Sequence, residues 1–290
     1  MRPPPLPARD GLGPARLRLR GGSVFDEFRT RFGSPAAAKV LAGEVVDADG
    51  AVLDRDSELP PGSHVYFYRE LADEVTVPFD VPVLYRDDDI VVVDKPHFLA
   101  TMPRGRHVAQ TALVRLRREL GLPELSPAHR LDRLTAGVLL FTTRRELRGA
   151  YQSLFARGLV RKTYLAHANG QPAVALPTTV RSRIIKRRGH LQAVEEPGEP
   201  NAETLVEAST ASPPPEGGYR LIPRTGRTHQ LRVHMTSLGL PIINDPLYPA
   251  VIDVPADDFS RPLQLLAHSI EFDDPLTGRR RCFASRRSLP

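Results

Sequence analysis

The sequence predicts an α+β protein of two domains, and three observations carry that reading. Its 290 residues exceed the roughly 100–200 usual for one domain. Apolar residues switch repeatedly between helical spacing and short strand-length runs bounded by glycine, proline and aspartate. A small helix-and-hairpin pattern over the first 75 or so residues precedes a longer, strand-rich one, with no internal repeat. Lys plus Arg number 40 against 34 Asp plus Glu, a net charge of +6 that favours a polyanionic partner over a generic basic composition. One cysteine, Cys282, excludes an intrachain disulfide and a cysteine-rich zinc site.

Residues 1–20 are rich in proline and arginine and are expected to form a flexible arm, with Arg16, Arg18 and Arg20 solvated. This start lacks the apolar core of a secretory signal, and no stretch reaches about 18 apolar residues, so the expectation is a soluble cytoplasmic protein. Val24, Phe25, Phe28 and Phe32 recur at helical spacing until Gly33-Ser34-Pro35 stops the run. Val45-Val46, the Asp49-Gly50 turn and a strand over 64–68 complete a module spanning 21–75. Its GEVVDADG and LPPGSHVYFY segments resemble the ribosomal-protein-S-four type of RNA-binding domain, with helical cations reduced to Arg29, Arg31 and Lys39. RNA binding and a purely structural role both stay open for it.

ADEVTVPF, residues 72–79, reads as a linker into the larger domain, which occupies 76–290. Val83-Leu84-Tyr85 and residues 90–93 read as strands around Asp87-Asp88-Asp89, a solvated turn rather than a metal site because adjacent side chains diverge. Asp94-Lys95-Pro96 ends the second strand. Ala109, Leu113, Leu116 and Leu120 share a helix face that stops at Gly121. Thr143 and Glu146 form a capping box for a helix that turns Leu147, Tyr151, Leu154 and Phe155 inward and ends at Gly158. A strand over 160–168 puts Lys162, Tyr164 and Ala166 on one face, so Lys162 and Tyr164 point into one cleft.

Short strands follow over 181–185, 191–194 and 204–208. Arg181, Arg183, Lys186, Arg187 and Arg188 make a phosphate-contacting edge beside the Gly189-His190 tip. Residues 213–218 are a plain loop. After a strand over 219–223, a glycine-containing turn opens a helix over 228–238. Leu231, Met235 and Leu238 form its buried stripe, leaving His229 and Arg232 to project together. His229 and His234, five apart, do not share a side, so no metal pair is expected. Strands over 263–267 and 269–272, a turn at 274–278 and a last strand close the chain.

Residues 129–141, HRLDRLTAGVLLF, set one acid, Asp132, among His129, Arg130 and Arg133 just before an apolar run. Alone, that placement suits both a nucleophile and a strand-end ion pair. Five ordered segments bear on that choice: VLYRDDDIVVVDKP, HRLDRLTAGVLLF, RKTYLA, PRTGRTHQLRVHMTSLGLPIINDPLYP and LLAHSIEFDDPLTG, covering most of 81–278. With them the chain resembles the RluA type of RNA pseudouridine synthase. Ala136 and Val138 stand where Ser and Leu are usual, and PHFLATMP replaces a glycine-containing loop, a departure that bears on which uridine is accepted.

The resemblance implies a mixed, mainly antiparallel central sheet with flanking helices and an active cleft across it. It implies isomerisation of uridine to pseudouridine in ribosomal or transfer RNA, by a monomer without cofactor, metal or obligate protein partner. Asp132 is the implied nucleophile, on sugar or ring, with Arg232 pairing with it and holding its pKa down. Tyr164 stacks on the flipped base and Arg130 fills the gap it leaves. Lys95, Lys162, Arg227 and His229 join Arg130 as substrate-binding residues, with His129 beside them as a hydrogen-bonding residue rather than a general base. The rival readings are a catalytically silent RNA-binding factor and a nucleoside hydrolase. The latter needs a second carboxylate or a metal to activate water, and neither stands beside Asp132 in the sequence.

Overall fold

A computed structural model describes residues 4–71, 73–209 and 218–289. The chain divides into two compact units, Met1–Asp73 and Glu74–Pro290. In the first, β1 (Ala15–Arg18) pairs antiparallel with β4 (His64–Phe67), and β2 (Gly22–Ser23) with β3 (Glu58–Leu59). Helices α1 (Val24–Phe32) and α2 (Ser34–Leu41) cover a core of Val24, Phe28, Val40, Val45 and Val65. Ser23 Oγ caps α1 by accepting from the Asp26 amide at 3.2 Å. Gly33, at φ +85°, ends α1, and Pro35 in the next turn starts α2, so the expected stop signal is also a start.

The flexible arm is corrected from Ala15 onward. Leu17 and Leu19 are buried in this core, and the Ala-Arg-Leu-Arg-Leu-Arg run alternates with a period of two that the arginines disguise as a solvated tail. Closer to the start, the Arg9 guanidinium stacks 3.7 Å over the Tyr68 ring, and the Tyr68 hydroxyl donates to the Pro7 carbonyl at 2.7 Å.

The second unit is built on one large sheet. Its strands are β5 (Val83–Arg86), β6 (Ile90–Lys95), β7 (Ser126–Pro127), β8 (Ala136–Thr142), β9 (Arg161–His167), β10 (Thr178–Ile185) and β11 (Val194–Glu196). They continue with β12 (Ala202–Ala208), β13 (Gly218–Pro223), β14 (Leu265–Asp273) and β15 (Arg280–Ala284). The order is β11-β10-β12-β13-β9-β14-β8-β6-β5, with β15 added on β14 and β7 on β8. Every pairing is antiparallel except β8 with β14. This is the mixed, mainly antiparallel sheet that the resemblance implies, and the α+β class holds.

Side chains of β6 and β8 alternate between two cores. Val91, Val93, Leu139 and Phe141 meet α3 (Ala112–Leu120) and α5 (Gln230–Ser237), while Ile90, Val92, Val138 and Leu140 meet α4 (Arg148–Ala156). Helix α3 ends at Gly121 in the left-handed region, as the sequence predicts.

Three local readings need correction. The Thr143 and Glu146 capping box does not form: a 3-10 turn, Arg145–Leu147, leads into α4 without a side-chain cap, and Thr143 Oγ1 instead donates to the Asp88 carbonyl at 2.5 Å. The linker is docked, because Val77 is buried and Phe79 packs on Phe98 and Phe259. Residues 191–193 lie before β11 rather than in a strand. Of the plain loop at 213–218, residues 213–217 lie outside the described residues. Among those described, no helix is long and apolar enough to cross a membrane.

Candidate active site

Asp132 stands in the loop between β7 and β8, four residues before β8 begins. Thr101 pins this loop, its Oγ1 donating to the Leu131 carbonyl at 2.8 Å and accepting from the Leu131 amide at 3.1 Å. The Asp132 carbonyl accepts from the Thr135 amide at 3.1 Å, tightening the turn. The side chain stays 32% exposed, so its carboxylate opens into a cleft of about 990 Å³. Tyr164 and Lys162 of β9, the 224–228 turn, His229 and Arg232 of α5, and His129 and Arg130 line the same cleft. Segments some 30 and 100 residues from Asp132 in sequence thus converge there, because β9, β14 and β8 are neighbours in the sheet.

Arg232 departs from the expectation. Its side chain is 2% exposed, and Nε and Nη2 bind Asp245 in a bidentate pair at 2.7 and 2.6 Å. Asp132 receives only the remaining nitrogen, Nη1 to Oδ2 at 3.6 Å, an ion pair too long for a hydrogen bond. Burial lowers the Arg232 pKa, but the Asp245 bonds and charge, with Asp132 added, outweigh it and hold the guanidinium charged. Burial, then the nearby Asp132 charge, raises the Tyr164 pKa, so the phenol keeps its proton and can donate it.

The other expected residues divide. His129 accepts from the Leu140 amide at its Nε2, 3.2 Å away, and stacks on Phe155 at 4.2 Å. Burial pushes its pKa down to about 3, so it is neutral and structural. Lys162 donates to the Thr225 carbonyl at 2.8 Å and fastens the turn that carries Arg227, while burial lowers its pKa to about 8. Arg227 holds the Asn201 carbonyl at 3.0 Å, and Arg130 is exposed at the cleft.

Lys95 is corrected as a substrate-binding residue. It is wholly buried, outside the cleft lining, with Nζ donating to the carbonyls of Pro96, Leu99 and Arg133 at 2.9, 2.8 and 3.4 Å. It therefore braces the backbone next to Asp132 from behind. Burial, only partly offset by the Asp132 charge, takes its pKa to about 7.

The five cations lie on β10 and the turn after it, not in the cleft. Arg181 pairs with Glu203 at 2.9 Å, Arg187 pairs with Glu196, and Lys186 binds the His190 carbonyl. Arg183 and Arg188 are exposed and have no acidic partner among the described residues.

Four residues of the site escaped the sequence reading. Asp245 and Tyr248 lie inside the quoted segment ending NDPLYP, where an acid without a nearby sequence partner was the available signal. Gln230 accepts from the Arg227 amide at 3.0 Å and the Thr225 hydroxyl at 2.7 Å, and donates to Thr204 at 2.9 Å, tying the turn to β12. Thr101 carries no local signal at all.

The cleft of this mixed sheet gathers an acid, an aromatic and an arginine from separate segments, and comparison with known proteins gives the class. The sequence profile described as RNA pseudouridylate synthase matches residues 89–237, and the chain belongs to that family. It is 30% identical over 204 residues, 67% of this chain and 78% of the relative, to the dual-specificity RNA pseudouridine synthase RluA of Vibrio vulnificus, which supports the RluA type. It is 34% identical over 172 residues to the human pseudouridylate synthase RPUSD2, covering 59% of this chain but only 31% of that longer protein. The solved human RNA pseudouridylate synthase domain containing 4 superposes with a TM-score of 0.54 at 25% identity, over 72% of this chain and 88% of that one.

Proposed function

We propose that this protein isomerises specific uridines of ribosomal or transfer RNA to pseudouridine, with Asp132 attacking a flipped-out nucleotide. The observation that carries this reading is the convergence of Asp132, Tyr164 and Arg232 on one open cleft in a chain of this family. Asp132 is the nucleophile, partly exposed where a nucleotide can reach it, with the positive Nη1 of Arg232 beside it. Tyr164 supplies an aromatic face for the flipped base and a protonated phenol that can donate. Arg130, at the mouth, fills the space left in the RNA stack and offsets part of the unstacking cost of a few kcal/mol. The step is a rearrangement: Asp132 bonds transiently to the nucleotide and is released again, the bond from C1′ to N1 breaks, C5 of the same ring bonds to C1′, the C5 proton is released to solvent and N1 takes up a proton in its place. Atoms and electrons balance without a cofactor.

RNA labelled with tritium at C5 of uridine tests the proposal. The wild type should release label, and Asp132→Asn should lose release by on the order of 10³-fold or more while still binding RNA. Binding without release by the wild type would make this a silent RNA-binding factor. Free uracil as product would make it a hydrolase. Mapping pseudouridine across total RNA with and without the gene would then identify the target.

A further inference from the structure

His229 immediately precedes α5 in the left-handed region, at φ 59°. Non-glycine residues there are uncommon, and such outliers cluster at functional sites. Its Nδ1 lies 3.0 Å from the Tyr248 hydroxyl. That hydroxyl also accepts from the Ala193 amide at 2.7 Å and donates to the Ala193 carbonyl at 2.8 Å.

A phenol has a single proton. Were it given to His229, the carbonyl of Ala193, a residue 1% exposed, would lose that donor in the interior. The proton is therefore committed to Ala193, Nδ1 carries its own hydrogen and donates it to Tyr248, and Nε2 keeps a lone pair. Nε2 has no protein partner among the described residues and is not enclosed. His229 lines the cleft together with Asp132, Tyr164 and Arg232. Burial lowers its pKa against the pull of Asp132, which agrees with a neutral ring.

We propose that His229 Nε2 is a hydrogen-bond acceptor for a donor of the target nucleotide, which makes His229 a specificity-determining residue and Tyr248 the positioning residue that sets its tautomer. The proposal rests on the cleft being the nucleotide site. Two donors fit: uracil N3–H, which cytosine replaces with a lone pair, and the ribose 2′-hydroxyl, which DNA lacks. Either way the acceptor rejects a wrong nucleotide by leaving a lone pair facing a lone pair or an empty space.

Nitrogen-15 NMR of the full chain with labelled histidine and no RNA reads the tautomer directly. The expected spectrum has Nδ1 of His229 protonated and Nε2 unprotonated at neutral pH, with the preference mixed in Tyr248→Phe. A protonated Nε2 overturns the proposal. Hexauridylate, its 2′-deoxy form and its N3-methyl form are then bound to Asp132→Asn, which does not consume them, with and without His229→Asn, a residue that tolerates the left-handed region. One of the two changes should weaken binding about three- to tenfold, the size of one net hydrogen bond. That loss should fall below twofold once His229 is replaced. Loss with N3-methyl identifies the ring as donor, and loss with 2′-deoxy the ribose. Equal losses with and without His229 overturn the proposal. Absence of tritium release by the wild type, with both these results intact, would instead sink the isomerase reading alone.

Discussion

Arg232 sits between two acids, and their unequal geometry decides what each does. Asp245, fully buried, takes the bidentate face, while Asp132 meets a single nitrogen at 3.6 Å and remains open to the cleft. Asp245→Ala would leave a buried guanidinium without its main partner, so it should cost about 3–5 kcal/mol in urea unfolding. Asp245→Asn, which keeps the shape but not the charge, should cost less and slow tritium release by letting Nη1 swing away from Asp132. Full activity in that variant would show that Arg232 needs no positioning. Lys95 and Lys162 carry a pH signature of their own. Burial lowers their folded pKa values to about 7 and about 8, against roughly 10.4 in the unfolded chain. Between those limits the unfolded chain binds protons that the folded one has released, so stability should rise from pH 7 towards pH 10, by at most about 1.4 kcal/mol per pH unit per lysine. Below pH 7 both states hold the Lys95 proton and its contribution is flat. Unfolding at pH 7, 8 and 9 should show a shallower slope for Lys95→Met, and an unchanged slope would place the lowered pKa elsewhere.

At the scale of elements, the contact of β8 with β14 holds the site together, since β8 is the strand into which the Asp132 loop leads and β14 connects it to β9 and Tyr164. Gly137 makes that contact feasible. It has φ +114°, and a Cβ there would fall on the Ala267 backbone, which cannot move aside as a flexible side chain would. Gly137→Ala should therefore destabilise the catalytic unit beyond the roughly 1–3 kcal/mol typical of overpacking, read as a lost or strongly lowered melting transition. Strand β10, paired on both sides by β11 and β12, and the turn after it lie outside the cleft, so a contact with RNA there would bear on affinity rather than chemistry. Arg181 and Arg187 already face acids, so Arg183 and Arg188, which have no acidic partner among the described residues, are the ones free to meet phosphate. Replacing both with Gln should reduce the salt slope of single-stranded RNA binding by about 0.7 per residue, whereas replacing Arg181 should change it less. Identical slopes for all three would remove this strand and turn from any RNA interface.

Over the whole molecule, the cores are segregated: one cluster draws only on residues 15–67, the others only on residue 77 and beyond. Calorimetry should resolve two transitions, and a fragment from Glu74 onward should fold and retain tritium release on short unpaired RNA. A single cooperative transition would contradict that separation. Much of the fold was legible where neighbours in sequence decide the outcome. The 90–93 run, the stop at Gly121, the 160–168 strand and the helix after Thr228 all follow from apolar period and turn chemistry. The 15–18 strand and the second helix after Gly33 were hidden, the first by arginines on its open face, the second by a proline that starts helices as readily as it ends them. By itself, the sequence determined the family and the α+β class and singled out Asp132, Tyr164 and Arg232 as candidates, because ordered segments of unlike residues carry that information without coordinates. Only the tertiary structure decided that Arg232 belongs first to Asp245, that Lys95 faces backbone carbonyls, and that His229 meets the Tyr248 hydroxyl. These outcomes depend on burial, where a charge or polar group without a partner is costly and distant segments must supply the partner.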